Sequence, residues 1–198
     1  QARITEMAAQ QILALRGRNV QDAAILVVEN ESGDVLAYLG SVGMLSNAPA
    51  VDGVMALRQA GSTLKPLLYG RAIEERILTA ASHVEDEPLE LATFGGIYRP
   101  RNYDQVWHGT DLTVRVALAS SLNLPAVRTL DLLGPDSLVR TMRLLGFPDL
   151  HDGDHYGPSL ALGTAEVRLW DLVGAYRMFA NGGMASELHL RLGETLLP

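Results

Sequence analysis

The segment RQAGSTLKPLLYG, residues 58–70, contains the single lysine of a 198-residue chain. Lys65 lies three positions after Ser62, and every other residue of the Lys/Arg class is one of fifteen arginines. Apolar residues recur at helical spacing from position 64 onward, which predicts a helix over residues 62–75. Because residues at i and i+3 share a helix face, the Ser62 hydroxyl and the Lys65 amine can meet.

The lysine matters because it can lose its proton, which an arginine does not do in a protein. Burial and the positive end of a helix both disfavour an ammonium group and lower the pKa of a lysine. A neutral amine beside a serine hydroxyl is a general base beside a nucleophile. The pattern S-x-x-K is nevertheless short enough to arise by chance, and the lysine can equally be a remnant of an arginine-favouring composition.

Pro66 conflicts with this local prediction, because a residue before proline is pushed away from helical backbone angles. Proline is tolerated in the first turn of a helix, where the backbone N–H groups lack partners in any case. We therefore expect Lys65 to lie at the very start of the helix.

Composition excludes several classes of function. At 47% hydrophobic residues the chain can bury a core and is predicted to form one domain over residues 1–198. The formal net charge of −7, without a basic run, argues against nucleic acid as a partner. The absence of cysteine excludes disulfides and thiolate catalysis. The apolar runs are too short to cross a bilayer, so contact with a membrane is expected only through a segment absent from this chain.

The periodicities predict an α+β fold. Helices are expected over residues 4–15, 113–121, 125–133, 136–145 and 166–180, strands over 23–28 and 35–39, and a loop over 80–105. Since a two-stranded hairpin is marginal alone and residues 186–192 can add one strand, we expect an antiparallel sheet that is incomplete in this chain. Residues 1–60 are predicted to hold the first helix and the hairpin, residues 61–183 a helical lobe, and residues 184–198 a tail.

A second candidate site lies in ALASSLNLPAV, residues 117–127, where Ser121 and Asn123 stand at the end of one predicted helix and Pro125 opens the next. A hydroxyl and a carboxamide at such a junction can be presented into a cleft. The alternative is that both residues cap helix ends, as serine and asparagine commonly do.

Together, S-x-x-K and S-x-N resemble the penicillin-interacting transpeptidase family, whose signature continues with K-T/S-G. The stretches FGGIYRPRNYD (residues 94–104), HGTDLTVRVALASSLNLPAV (108–127) and SLALGTAEV (159–167) are similar to class A penicillin-binding proteins, and most closely to the 1C subgroup. The resemblance covers residues 22–183, and its motifs stand in family order.

The resemblance implies a D,D-peptidase/β-lactamase-like fold and a peptidoglycan D,D-transpeptidase without metal or organic cofactor. Ser62 would be acylated by D-Ala-D-Ala stem peptides and by β-lactams, and Lys65 would accept its proton. Ser121 would pass a proton to the departing D-alanine. Asn123 would hold the substrate's amide carbonyl and orient Lys65. The implied location is the periplasmic face of the bacterial inner membrane.

The chain departs from the family pattern in its third motif, because it has no second lysine and no R-T-G or H-T-G. We infer a truncated transpeptidase domain. Two alternatives stay open: a catalytically incomplete or sensor-type penicillin-binding scaffold, and a carboxypeptidase or β-lactamase-like hydrolase.

Two further features of the sequence could indicate a site but have a simpler interpretation. HDGDH, residues 151–155, is interpreted as a solvated loop rather than a metal pair. Glu166 is interpreted as the first residue of a helix rather than a deacylating base.

Overall fold

The structure, a computed structural model, describes residues 1–93 and 95–190. It divides into two compact units. The first comprises Gln1–Arg58, Leu145–Phe147 and Val167–Pro198, and the second comprises Gln59–Leu144 and Pro148–Glu166. Each unit contains helices and antiparallel strand pairs, so the predicted α+β class is confirmed.

The described helices run from 4 to 14 residues and the described strands from 2 to 5 residues. The helices are α1 (Ala2–Leu15), α2 (Lys65–Glu74), α3 (Val114–Ala119), α4 (Asn123–Leu133), α5 (Pro135–Leu144), α6 (Gly153–Tyr156) and α7 (Leu169–Ala180). The strands are β1 (Ile25–Val28), β2 (Val35–Leu39), β3 (Arg58–Gln59), β4 (His83–Asp86), β5 (Leu91–Thr93), β6 (Gly96–Tyr98), β7 (Gly109–Thr113) and β8 (Glu166–Val167). Turns of 3₁₀ helix cover Arg16–Arg18, Gly43–Leu45, Gly61–Leu64 and Gly157–Leu162.

The first unit is built on the β1–β2 hairpin, whose strands pair antiparallel with Ile25 opposite Leu39. Alternate residues of β2 are buried, as a strand with one covered face requires. The predicted extra strand from the tail is represented by one parallel bridge between Asp34 and His189. The predicted residues 191 and 192 of that strand lie outside the described part of the chain.

A buried arginine of α7 ties this unit together. The Arg177 side chain is 5% exposed. Its guanidinium donates hydrogen bonds to the backbone carbonyls of Asn30 (2.7 Å), Glu31 (2.9 Å), Ser186 (3.2 Å) and Glu187 (3.1 Å), and to the Ser186 hydroxyl (2.6 Å). One side chain therefore joins the turn of the hairpin to the segment that follows α7.

The second unit has a helical core made by α2, α4 and α5. Their buried apolar residues include Leu67, Leu68, Leu124, Leu130, Leu138 and Met142, and Leu64 of the preceding 3₁₀ turn is buried as well. Completely burying a leucine or methionine side chain stabilises a fold by about 1.5–3 kcal/mol, so this cluster is a large favourable term. The beginning of α2, the α3–α4 junction and the β4–β7 pair all pack on this core.

The predicted loop over residues 80–105 was wrong. It contains β4, β5 and β6; β4 pairs antiparallel with β7, and β5 pairs antiparallel with β6. The sequence HVED of β4 has too little apolar alternation to signal a strand, and its partner begins more than twenty residues later. Pairing at that distance leaves no local mark in the sequence.

Several predicted helix starts also differ from the structure. α2 begins at Lys65, after a 3₁₀ turn over Gly61–Leu64, because Pro66 is accommodated in the first turn. α4 begins at Asn123, two residues before its proline, for the same reason. Glu166 does not start a helix: it lies exposed in β8, and α7 begins at Leu169.

No helix within residues 1–93 and 95–190 combines the length and apolar character needed to cross a membrane.

Candidate active site

The backbone directly before Ser62 is held by a close contact between two glycines. Gly61 has a φ of +59° and Gly163 a φ of +75°, conformations that suit glycine. The Gly61 N–H donates to the Gly163 carbonyl at 3.0 Å. A Cβ on Gly163 would lie only 2.0 Å from the Gly61 carbonyl oxygen. This close approach fixes the residue directly before Ser62, whose own side chain is exposed.

Lys65 is buried, with 1% of its surface exposed. Its Nζ lies 2.6 Å from the Ser121 carbonyl oxygen, 2.7 Å from Asn123 Oδ1 and 3.3 Å from Ser121 Oγ. All three partners are neutral, and within the described chain Lys65 forms no ion pair. Among the residues that the structure describes, the amine therefore has no counter-ion although it is buried.

The cause of the altered Lys65 acidity is this burial. Removing the amine from water disfavours the ammonium form and lowers the pKa of Lys65 from 10.5 to about 8. The contacts also satisfy a neutral amine: its two protons can point at the Ser121 carbonyl and Asn123 Oδ1, and its lone pair can accept the Ser121 hydroxyl proton. Lys65 can therefore act as a base near neutral pH.

Ser121 lies at the junction of α3 and α4 with a φ of +53°, an uncommon backbone angle for a residue with a Cβ. This conformation turns both its carbonyl oxygen and its hydroxyl toward Lys65. Asn123 is the first residue of α4, and its side-chain N–H donates to the Arg101 carbonyl at 2.8 Å. The amide oxygen of Asn123 is thereby left facing Lys65.

The structure brings Lys65, Ser121 and Asn123 together, but it does not join Ser62 to Lys65 by a hydrogen bond. Among the residues that the structure describes, the Ser62 hydroxyl has no hydrogen-bond partner. Ser62 lies in the 3₁₀ turn and Lys65 is the first residue of α2, so the two residues do not share one continuous α-helix as predicted. The Lys65 side chain extends instead to the α3–α4 junction. The catalytic roles of these four residues stay predictions.

The sequence did not predict a group of three side chains that supports Asn123 from behind, here called the supporting layer. Asn102, Asp86 and His108 form a hydrogen-bonded group behind Asn123. Asn102 falls within FGGIYRPRNYD, a stretch that resembles the family but from which no role was predicted for Asn102. Asp86 stands in an acidic run of the kind that is usually exposed to solvent. The one signal was the type of Asn102 itself, since asparagine in a turn often bonds neighbouring backbone.

The histidines of HDGDH lie outside this site. The rings of His151 and His155 stack with centroids 4.1 Å apart, and residues 153–156 form the short helix α6 rather than the predicted loop. No group of three or more His, Cys, Asp or Glu suited to a metal occurs in residues 1–93 and 95–190. The arrangement of Lys65, Ser121 and Asn123 instead suits proton transfer to and from a serine hydroxyl.

Comparisons with known proteins confirm the predicted family. Residues 23–193 match the family model described as penicillin binding protein transpeptidase domain. Penicillin-binding protein 1C of Escherichia coli strain K12 is 37% identical over 177 residues, covering 88% of this chain and 22% of the relative. Penicillin-binding protein 2D of Bacillus subtilis strain 168 is 35% identical over 161 residues, covering 81% of this chain and 23% of the relative. The chain thus spans less than a quarter of the length of these relatives.

Solved structures show the same fold. The crystal structure of penicillin-binding protein 1A from Haemophilus influenzae superposes with a TM-score of 0.75 at 27% identity, covering 85% of this chain and 24% of that one. The apo TP domain of Burkholderia pseudomallei penicillin-binding protein 3 has a TM-score of 0.76 at 18% identity, covering 100% of this chain and 62% of that one. The chain belongs to the transpeptidase domain family of the class A penicillin-binding proteins.

Proposed function

We propose that this chain carries the acylation site of a peptidoglycan D,D-transpeptidase, with Ser62 as the nucleophile. The observation that carries the proposal is the buried Lys65 amine, which has neutral partners and a pKa lowered to about 8. A buried lysine without a counter-ion is costly as a structural device, and it is useful as a base.

In the first step, Ser62 Oγ attacks the carbonyl of the penultimate D-alanine of a stem peptide, and Lys65 Nζ takes the hydroxyl proton. Collapse of the tetrahedral adduct breaks the C–N bond, and the departing D-alanine amine receives a proton through the Ser121 hydroxyl. The 3.3 Å separation between Lys65 Nζ and Ser121 Oγ supports this relay. The products are a Ser62 ester and free D-alanine.

In the second step, an amine of a neighbouring stem peptide attacks the ester carbonyl, which forms the crosslink and restores the Ser62 hydroxyl. β-Lactams would acylate the same oxygen by opening their ring, so no fragment leaves. We place this reaction on the periplasmic face of the inner membrane, where the peptidoglycan substrate lies. Asn123 would contact the substrate amide through its carboxamide and keep Lys65 oriented.

Intact-mass measurement after incubation with benzylpenicillin tests the proposal. We expect one adduct of one drug mass on the wild-type chain, none on Ser62→Ala, and an undiminished adduct on Ser120→Ala. Ser120 is the matched control because its hydroxyl is exposed and does not contact Lys65. A folded wild-type chain that gains no mass, or a Ser62→Ala chain that does, would overturn the proposal.

A second assay separates transpeptidase from hydrolase. The chain is given a D-Ala-D-Ala peptide and an acceptor amine, and the products are analysed by mass. A new amide between the two supports transpeptidation. Release of D-alanine with only a free carboxylate, or steady hydrolysis of the penicillin, would identify a carboxypeptidase or β-lactamase-like enzyme instead.

A further inference from the structure

A carboxylate is completely buried behind the α3–α4 junction. Asp86, the last residue of β4, has 0% exposure. Its oxygens accept hydrogen bonds from Asn102 Nδ2 at 2.8 and 2.7 Å, from the His108 backbone N–H at 2.9 Å and from His108 Nδ1 at 2.6 Å. A buried charge is tolerated only when it is well hydrogen-bonded, so Asp86 holds Asn102 and His108 firmly in place.

Asn102 connects this carboxylate to the candidate site. Its Nδ2 donates to Asp86 and to the Val106 carbonyl at 2.8 Å, and its Oδ1 accepts the backbone N–H of Asn123 at 2.8 Å. These partners fix which end of the amide is which. A flipped Asn102 would set its oxygen against the Asp86 carboxylate and its N–H₂ against an N–H donor.

Asn123 is in turn held at three points. As the first residue of α4 it has a backbone N–H without a partner inside the helix, and Asn102 supplies that partner. Its Nδ2 donates to the Arg101 carbonyl, next to Asn102 in the chain, and its Oδ1 faces Lys65 at 2.7 Å. A continuous series of hydrogen bonds therefore runs from Asp86 through Asn102 and Asn123 to Lys65.

We propose that Asn102, anchored by the buried Asp86, is a positioning residue for acylation: it fixes the start of α4 so that Asn123 Oδ1 orients the Lys65 amine. The inference rests on the proposed function, in which Lys65 takes the Ser62 proton. Asn102 touches neither Ser62 nor Lys65 and acts through Asn123.

The same strand pair offers a matched control. At its other end His83 of β4 lies 3.1 Å from Asp111 of β7, with side chains 63% and 93% exposed. This histidine–aspartate pair has chemistry like that of Asp86 and His108 but no connection to Lys65. Removing this pair therefore measures the effect on Lys65 of a change in the β4–β7 strand pair that does not involve Asn102.

The first measurement is direct, because Lys65 is the only lysine. A chain labelled with ¹³C at the lysine ε-carbon gives one side-chain resonance, whose pH titration yields the Lys65 pKa. We expect Asn102→Ala to raise this pKa by about one unit toward 10.5, since a loosened α4 start admits water to the amine. Asp111→Asn should leave it unchanged.

The second measurement is the second-order rate of acylation by benzylpenicillin. Asn102→Ala should lower it about tenfold at pH 7, in step with the smaller neutral fraction of Lys65, and the loss should shrink at higher pH. A merely structural role would lower the melting temperature without moving the pH profile.

A charge exchange guards against simple misfolding. Asn102→Asp places two carboxylates together, and Asp86→Asn replaces one of the two oxygens that accept from the Asn102 amide with an N–H₂ donor. The double variant restores one carboxylate beside one amide, with Asp at 102 still able to accept the Asn123 N–H. We expect each single variant to lose more acylation rate than the double variant.

The outcomes distinguish this inference from the proposed function. A folded Asn102→Ala chain with unchanged Lys65 pKa and unchanged acylation would overturn the positioning role. If the wild-type chain is not acylated while the Lys65 resonance still shifts in Asn102→Ala, the proposed function fails and the positioning of Lys65 stands.

Discussion

Lys65 in the second unit and Arg177 in the first are both buried cations that meet neutral acceptors, and they differ in what those acceptors achieve. Arg177 has five acceptors for its planar guanidinium, four of them backbone carbonyls, so its full charge is solvated by the protein. Lys65 has three contacts, which an amine without its extra proton can use completely. The contacts of Arg177 stabilise its positive charge, whereas the contacts of Lys65 allow its amine to become neutral.

Exchanging the lysine for an arginine should have the largest effect on this comparison. On the proposed function, Lys65→Arg leaves the Ser62 proton without a neutral base to receive it, so acylation by benzylpenicillin should fall about a thousandfold, within the range typical of general-base loss. Folding should persist with a loss of about 1–3 kcal/mol from the larger buried side chain. Stopped-flow acylation and thermal melting measure the two effects, and a near wild-type acylation rate would show that the proton leaves by another route.

The reciprocal exchange, Arg177→Lys, should act on stability and spare the chemistry. An ammonium group can serve at most three acceptors, so at least two of the five lose their donor, at a cost of about 2–3 kcal/mol in total. Denaturant unfolding measures the loss. The acylation rate, taken well below the melting temperature, should match that of the wild type; a parallel fall in a folded chain would mean that the two cations are not separate in function.

The pH dependence of the acylation rate tests the same difference between Lys65 and Arg177, with a smaller expected effect than the Lys65→Arg substitution. With a Lys65 pKa of about 8, the neutral fraction is about 1% at pH 6 and about half at pH 8, so the acylation rate should rise roughly fiftyfold across that interval and level off above it. The sign follows from the base: activity is lost as the pH falls below the pKa. A flat profile from pH 6 to 8 would contradict a titrating Lys65.

Parts of this site could be predicted from sequence because they depend on local rules. The S-x-x-K segment has helical spacing, and Ser121 and Asn123 fall at a helix junction marked by a proline. The structure places both residues at that junction, beside Lys65. The same reasoning placed α2 three residues early, because it treated the 3₁₀ turn and the helix as one element.

The supporting layer could not be predicted, because it depends on pairing between distant segments. Asp86 and His108 meet only after β4 pairs with β7, and neither strand has the apolar alternation that announces one. Asn102 reaches Asn123 across twenty-one positions of chain. Patterns in a single sequence indicate contacts between residues close together in the chain, whereas the contacts of the supporting layer form only when distant segments pack together.

Ser121 carries a consequence for how far such a domain can be stabilised. Its φ of +53° is a conformation that glycine adopts without strain, so Ser121→Gly would relieve about 1 kcal/mol while deleting the hydroxyl next to Lys65. On the proposed function, selection for stability and selection for chemistry therefore favour different residues at this one position. A directed-evolution experiment that rewards heat resistance alone would be expected to drift toward glycine at position 121, and to lose the proposed acyl transfer with it.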